Sequence, residues 1–347
     1  MRILVATDAW HPQVNGVVRT LTKLADAAKA LDVEFSFLTP QSFRTFAMPS
    51  YRDVRLAMPR PAKIAKLIEE ARPDSIHIAT EGPIGLVVRR FCRQCNLPFT
   101  TSFHTRFPEY VRARVPVPES LIWRALRRFH ASSRAVMAAT PALARELSER
   151  GFDNVVLWPR GVDNKLFHPR AVDLCFPAPV FLCVGRVAVE KNLEAFLELD
   201  LPGTKVIVGD GPARSGLEQA YPQAIFLGAK HGEALAEIYA AADVFVFPSR
   251  TDTFGLVLLE ALASGLPVAA FPVRGPRDVI GDAPVGVLDE DLHSACLAAL
   301  DISRPACVEF AANHTWEASA RAFVDSILAV GAVLPHANGP ERPRFVA

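Results

Sequence analysis

Two stretches of this 347-residue chain place charged side chains at spacings that suit chemistry on an anionic, hydroxyl-rich ligand. The first is VGRVAVEKN, where a strand-like run ends at Gly185 and is followed by Arg186, then by Lys191 just inside an expected helix. Ligands of doubly wound α/β folds collect at the carboxyl ends of strands. Two fixed cations there suit a diphosphate whose charge grows as it departs, because Arg forks onto phosphate oxygens and Lys acts as a point charge. The second stretch is PSRTDTFGLVLLEALASGLPV. It puts Asp252 on a loop beside the helix-opening amides of Phe254, Gly255 and Leu256, and Glu260 inside the helix that follows. Carboxylates accept hydrogen bonds from sugar hydroxyls, and opening amides favour anionic or hydroxyl oxygens. Plainer readings stand beside these: solvated surface charges for the cations, and a capping acid plus an exposed helical glutamate for the acids.

Two further positions belong with them. Asn15 and Gly16 precede a helix expected to start near Val17, so phosphate could approach its unpaired amides closely over Gly16; an ordinary turn glycine is the alternative. His104 closes the strand PFTTSF, where it is either a site residue or a neutral core histidine. No complete G-x-G-x-x-G is present, which counts against a dinucleotide oxidoreductase. VGDGP carries a single acid and no D-x-D of the metal-binding type is read on a loop after a strand, so neither a catalytic metal nor another cofactor is expected.

The elements that must hold these residues alternate. RILVAT, VEFSFLT, SIHIA, PFTTSF, AVMAA and VVLWP are strand-like runs in the first half, as are VFLCVG, TKVIVG, AIFLG, DVFVFP and PVAAFP in the second. Between them lie amphipathic stretches such as HGEALAEIYAAA. Strands in alternation with helices predict parallel sheets covered on both faces. A proline-rich, aperiodic stretch near residues 162–178 reads as the linker. The expected division is therefore a domain over 1–165, a second over 175–332, and a flexible tail over 333–347.

Composition narrows the class. The chain carries a net +1, yet residues 1–165 hold ten more basic than acidic groups and the rest hold nine more acidic than basic. A basic half can attract anionic substrates, nucleic acid or an anionic membrane surface; the alternative is that the halves neutralise each other. Of six cysteines only Cys92 and Cys95 are closely spaced, and no second ligand pair completes a zinc site, so buried thiols in a reducing compartment are expected. No apolar run has the length of a membrane span, and the first residues read as a strand rather than a leader, so a cytoplasmic protein is expected.

Taken together, QVNGVVRTL, SFHT, GRVAVEKN, VGDGP, FVFPSRTDTFGLVLLEALASGLPV and NHTWEASARAF resemble the retaining glycosyltransferases of family 4, a large group that includes bacterial mannosyltransferases and glycolipid synthases. The resemblance runs over nearly the whole chain. It implies the GT-B fold, two Rossmann-like doubly wound parallel-sheet domains facing across a cleft. It further implies that Gly16 contacts the donor diphosphate, that Arg186 and Lys191 neutralise it, and that His104 faces the donor sugar. Asp252 with the amides of Phe254, Gly255 and Leu256 would hold sugar hydroxyls, Glu260 the ribose, and the region of Gly228 and Lys230 the base. Enzymes of this kind retain anomeric configuration, with a donor phosphate oxygen taking the acceptor proton and no protein nucleophile. The first of the two acids is usually Glu in the family, so Asp252 departs from the pattern by one methylene.

The acceptor is sought in HTRFPEYVRARVPVPESLIWRALRRFHASSR, which carries arginines at 106, 112, 114, 124, 127, 128 and 134 among large apolar residues including Phe107, Tyr110, Val111 and Trp123. Such a mixture suits an interfacial segment on anionic lipid, with Arg124, Arg127, Arg128 and Trp123 in contact; an ordinary amphipathic helix with solvated arginines is the alternative. The TDTFG sub-group resembles lipid-linked sugar transferases. The expectation is transfer of a hexose or hexuronic acid from a UDP-sugar to a membrane lipid such as diacylglycerol, by a protein peripheral on the inner face of the cytoplasmic membrane. GDP-mannose-dependent transfer is the alternative, with a nucleotide-sugar epimerase or a non-catalytic binder behind it. Nucleic acid is not an expected partner.

Overall fold

The computed structural model describes residues 1–11, 15–48, 51–104, 117–172, 175–252 and 254–334. They form two compact units, one made of Met1–Pro159 with the segment that begins at Trp316, the other of Arg160–Thr315.

The first unit runs β1 (Arg2–Ala6), α1 (Gly16–Ala28), β2 (Glu34–Leu38), β3 (Thr45–Met48), β4 (Tyr51–Ala57), α2 (Pro61–Ala71), β5 (Ser75–Ile78), α3 (Pro83–Gln94), β6 (Thr100–Phe103), α4 (Glu119–His130), β7 (Val136–Ala138), α5 (Pro141–Glu149) and β8 (Val155–Leu157). Its parallel sheet has the order β2-β1-β5-β6-β7-β8. Burial runs along β1, β5, β6 and β7, and where β5 and β6 carry polar residues these pair within the sheet, His77 with the hydroxyls of Thr100 and Ser102 at 2.8 and 3.0 Å. The antiparallel hairpin β3–β4 was not expected, and it interrupts the strict alternation.

The second unit runs β9 (Val180–Val184), α6 (Glu194–Leu197), β10 (Thr204–Val208), α7 (Arg214–Ala220), β11 (Ile225–Phe226), α8 (Gly232–Ala241), β12 (Val244–Phe247), α9 (Leu256–Ala263), β13 (Val268–Ala270), α10 (Arg274–Ile280), β14 (Gly286–Leu288), α11 (Leu292–Ala299) and α12 (Arg304–Ala312). Its order, β11-β10-β9-β12-β13-β14, reverses between β9 and β12, and all pairings are parallel. That reversal is the topological switch point of a doubly wound sheet, where the connections after the two central strands diverge and leave a crevice.

The division of the chain differs from the expected one. Val162 and Phe167, placed in the linker, are buried in the core of the second unit, and Val162 pairs with Thr315 where the chain leaves that unit. The last described helix, α13 (Trp316–Ala329), belongs to the first unit rather than the second. Its Phe323 packs 4.8 Å from the Trp158 ring and 4.9 Å from His77, and the Trp158 indole donates to Ser319 at 3.1 Å. Leu334, assigned to the tail, is buried, and its amide donates to Asp74; residues 335–347 lie outside the described residues. Cys92, Cys183, Cys296 and Cys307 are buried thiols, Cys95 is half-buried and Cys175 exposed. Burial pushes the Cys183 and Cys296 thiols up to about 12.

Candidate active site

The switch point of the second unit gathers four of the singled-out residues. Strand β9 ends at Val184, and Gly185 and Arg186 follow at once. Lys191 is the last residue of a 3-10 turn, Val189–Lys191, rather than part of the following helix, because Asn192 turns left-handed at φ 53° and ends the turn. From the neighbouring strand β12 the chain continues through Pro248 and Ser249 to Asp252. The two loops are tied together: Asn192 donates to the Pro248 carbonyl at 3.1 Å and Thr251 to that of Glu190 at 3.2 Å.

Across this junction the Lys191 ammonium meets both oxygens of Asp252, at 2.6 and 2.8 Å. The family resemblance gives Lys191 the diphosphate and Asp252 the sugar hydroxyls, and the pairing of the two was not expected. Each is about a quarter exposed, so the pair lies at the surface of the crevice rather than in the core. Arg186, on the same loop as Lys191, is half-buried, with Glu190 at 3.8 Å. An anion arriving here would meet Lys191 as competitor to Asp252, and would release the carboxylate to accept from hydroxyls.

Helix α9 carries the other acid. Gly255 precedes it with φ 81°, a left-handed conformation that glycine adopts without strain, and its half-buried neighbours Phe254 and Leu256 flank the helix opening. Glu260 is buried and takes a hydrogen bond from the Tyr239 hydroxyl of α8 at 3.1 Å. It is therefore not the exposed helical glutamate of the plainer reading. Gly275, at the start of α10, touches the same loop: a Cβ there would come within 2.8 Å of the Asp252 carbonyl. Gly228 and Lys230 lie past the end of β11, Gly228 buried and Lys230 exposed.

The first unit holds the remaining residues. Asn15 caps α1, its side chain accepting from the amides of Val17 and Val18 at 3.0 Å, and Gly16 is exposed with open space where a side chain would stand. His104 follows β6, half-buried, its ring 5.6 Å from Trp158 and edge-on to it. Sequence reasoning missed Asp8, at the end of β1. Its carboxylate accepts from the amides of Ile84 and Gly85 and from the Thr80 hydroxyl, at 2.9, 3.3 and 3.0 Å, and so ties the β5–α3 connection to β1. Burial pushes this carboxyl above its usual range against those hydrogen bonds, and the charge of Glu81 adds to the rise. Nothing in the local pattern around Asp8 marks it, because its partners lie more than seventy residues away.

The arginine-rich stretch divides in two. Arg106, Phe107, Tyr110, Val111, Arg112 and Arg114 lie outside the described residues. Helix α4 buries Ile122, Leu126 and Phe129 and exposes Arg124, Arg127 and Arg128. Trp123 departs from the expected inserting role. It stacks parallel on Phe103 at 5.9 Å, lies under the Arg150 guanidinium at 4.0 Å, and donates to Glu119 at 2.9 Å, so its ring is packed on the protein. Among the described residues no cluster of His, Cys, Asp and Glu has the form of a metal site, and no helix is long and apolar enough to cross a membrane.

Comparison with known proteins places this geometry. Residues 14–166 match the model described as Glycosyltransferase Family 4, and residues 178–301 that described as Glycosyl transferases group 1. The chain is 30% identical over 315 residues to the GDP-mannose-dependent alpha-mannosyltransferase of Mycobacterium tuberculosis, covering 83% of each chain. It is 27% identical over 345 residues to the alpha-monoglucosyldiacylglycerol synthase of Streptococcus pneumoniae, covering 86% of this chain and 78% of that one. In structure it resembles sucrose-phosphate synthase from Thermosynechococcus elongatus with a TM-score of 0.76 at 20% identity, over 95% of this chain and 99% of that one, a likeness of fold. A GT-B pair of Rossmann-like units, matched by both family models and by a relative along most of its length, identifies the chain as a glycosyltransferase that belongs to family 4.

Proposed function

We propose that the protein transfers a hexose or hexuronic acid, with retention of anomeric configuration and without a catalytic metal, from a nucleoside diphosphate sugar to a membrane lipid such as diacylglycerol. The observation that carries the donor half is the Lys191–Asp252 pair at the switch point of the second unit, with Arg186 on the loop that carries Lys191. The diphosphate takes Lys191 and Arg186, whose charges stabilise it as it leaves and do the work a metal would otherwise do. Asp252, with the amides at Phe254, Gly255 and Leu256, receives the sugar hydroxyls, and Glu260 the ribose. Gly16 and His104 keep the diphosphate and sugar roles that the family resemblance implies. A donor phosphate oxygen takes the proton of the acceptor hydroxyl as that oxygen bonds to the anomeric carbon and the sugar–phosphate bond breaks, so no protein nucleophile is needed.

Support for the lipid half is the exposed row Arg124, Arg127 and Arg128 on one helix, each worth roughly 1 kcal/mol beside an anionic leaflet. The name of the pneumococcal relative points the same way. A UDP-sugar is the favoured donor on the family resemblance of TDTFG and FHTRFPEYV. GDP-mannose is the second reading, favoured by the name of the mycobacterial relative and its coverage of 83% of the chain. Incubation of the purified protein and diacylglycerol vesicles with a panel of UDP- and GDP-sugars, read by product mass, decides between them. A glycosylated diacylglycerol from a UDP-sugar supports the first; mannosyl transfer from GDP-mannose alone selects the second; hydrolysis or epimerisation of donor without any transfer rejects both.

A further inference from the structure

Gly228, expected to meet the nucleobase, is buried, and a Cβ added to it would stand 3.0 Å from a guanidinium nitrogen of Arg214. What the end of β11 offers to a ligand is therefore Arg214, together with the exposed Ala229 and Lys230. We propose that Arg214 is a donor-binding residue whose guanidinium forms the platform on which the base of a nucleoside diphosphate stacks. This rests on the nucleotide-sugar reading above and adds to it a contact that neither the motif pattern nor the acid pair supplies.

The way Arg214 is held fits stacking better than phosphate binding. Its Nε donates to Glu218 at 2.8 Å and a terminal nitrogen to Asp210 at 3.3 Å, one acid a helical turn ahead and one in the turn that precedes the helix. Both bonds run along the rim of the guanidinium, so they fix its orientation, offset its charge and leave its planar faces for an aromatic ring. The two carboxylates on that rim would also repel a phosphate. The side chain remains 29% exposed, so a ring can reach it.

Position supplies the second argument. The turn that leads to Arg214 is stitched to the loop carrying Arg186: the Val187 amide donates to Asp210 at 2.9 Å and the Ala213 amide to Val187 at 3.1 Å. Gly209 and Gly211, at φ 147° and 159°, permit this, since a Cβ on either would lie 1.8 Å from the Gly185 carbonyl or 2.3 Å from that of Val187. The Gly209 amide also donates to the Gly228 carbonyl at 2.9 Å, which fixes the end of β11 against the same turn. Arg186 follows β9, and Gly228 lies past β11, two strands along the sheet. Two inter-strand spacings amount to about 10 Å, comparable with the reach from the diphosphate to the base of a nucleoside diphosphate. Because every base has a stacking face, the platform would serve uracil and guanine alike, leaving base choice to the backbone around Gly228 and Lys230.

The test is calorimetric titration of the full chain with UDP, GDP and inorganic pyrophosphate, for wild type, Arg214→Ala and Arg214→Lys, with thermal melting to confirm folding. Both variants are expected to bind UDP and GDP about tenfold more weakly, the size of one base-stacking contact, with pyrophosphate affinity unchanged. Wild-type nucleotide affinity in the folded variants overturns the proposal. So does a parallel loss of pyrophosphate binding, which makes Arg214 a phosphate contact, or full retention by Arg214→Lys, which makes charge rather than planarity the cause. If Arg214→Ala does not fold, Arg214→Lys, which keeps length and charge, decides alone. A wild-type protein that binds neither UDP nor GDP refutes the nucleotide-sugar reading itself.

Discussion

Lys191 and Asp252 show what can and cannot be read from residue types. Each stood out by its motif, and each does lie at the carboxyl edge of a central strand. Their pairing at 2.6 Å spans 61 positions and follows from the strand order β9–β12, which no local pattern encodes. Asp8 was missed for a related reason, and Arg214 because one of its two acid partners, Asp210, lies in the turn before the helix rather than on it. The pair makes a sharp expectation for kinetics. Arg186→Ala and Lys191→Ala should each lower kcat by about 2 to 4 kcal/mol in barrier, as loss of a preorganised charge does, while steady-state turnover is measured beside a thermal melt that moves little. Near wild-type turnover in both would remove the cations from the reaction. Glu260→Ala should behave differently. A ribose contact is made equally in the ground and transition states, so its loss raises donor KM and leaves kcat nearly intact.

At the scale of elements, helix α4 was legible as amphipathic, and its arginines are exposed as that pattern requires. What the pattern could not reveal is that Trp123 packs against Phe103 and Arg150 and donates to Glu119, so the proposed docking on lipid rests on the charge of the arginines. The change Arg124→Glu, Arg127→Glu, Arg128→Glu should abolish sedimentation with anionic vesicles and leave UDP or GDP titration unaltered. High salt should mimic it by screening. Continued sedimentation would put the docking surface elsewhere. The C-terminal helix α13 is a second case. Its residues entered the sequence analysis only through the stretch NHTWEASARAF, and the helix completes the first unit, not the second. All four tryptophans fall in that unit, so intrinsic fluorescence follows its unfolding selectively. Phe323→Ala, which empties a site that is fully buried against Trp158 and His77, should cost about 3 to 5 kcal/mol in urea unfolding read by fluorescence. An unchanged midpoint would mean that α13 does not stabilise the first unit.

For the whole molecule, the alternation of strands and helices was enough to specify two parallel sheets, because strands buried on both faces leave continuous apolar runs. The hairpin β3–β4, which lies off the main sheet, and the short strand β14 escaped notice. The unit boundary escaped because the expected linker packs into the second core and the chain returns to the first. Family membership followed from motifs spread over both units, whereas donor and acceptor depend on surfaces those motifs do not fix. The account as a whole rests on fixed cations, not a metal, drawing off a diphosphate while the sugar keeps its configuration. The most direct measurement is turnover of exhaustively EDTA-treated protein with donor sugar and diacylglycerol vesicles, with the anomeric proton coupling of the product read by NMR. The account predicts undiminished turnover and a linkage of the donor's own anomeric configuration; activity that returns only with magnesium or manganese, or an inverted linkage, would contradict it.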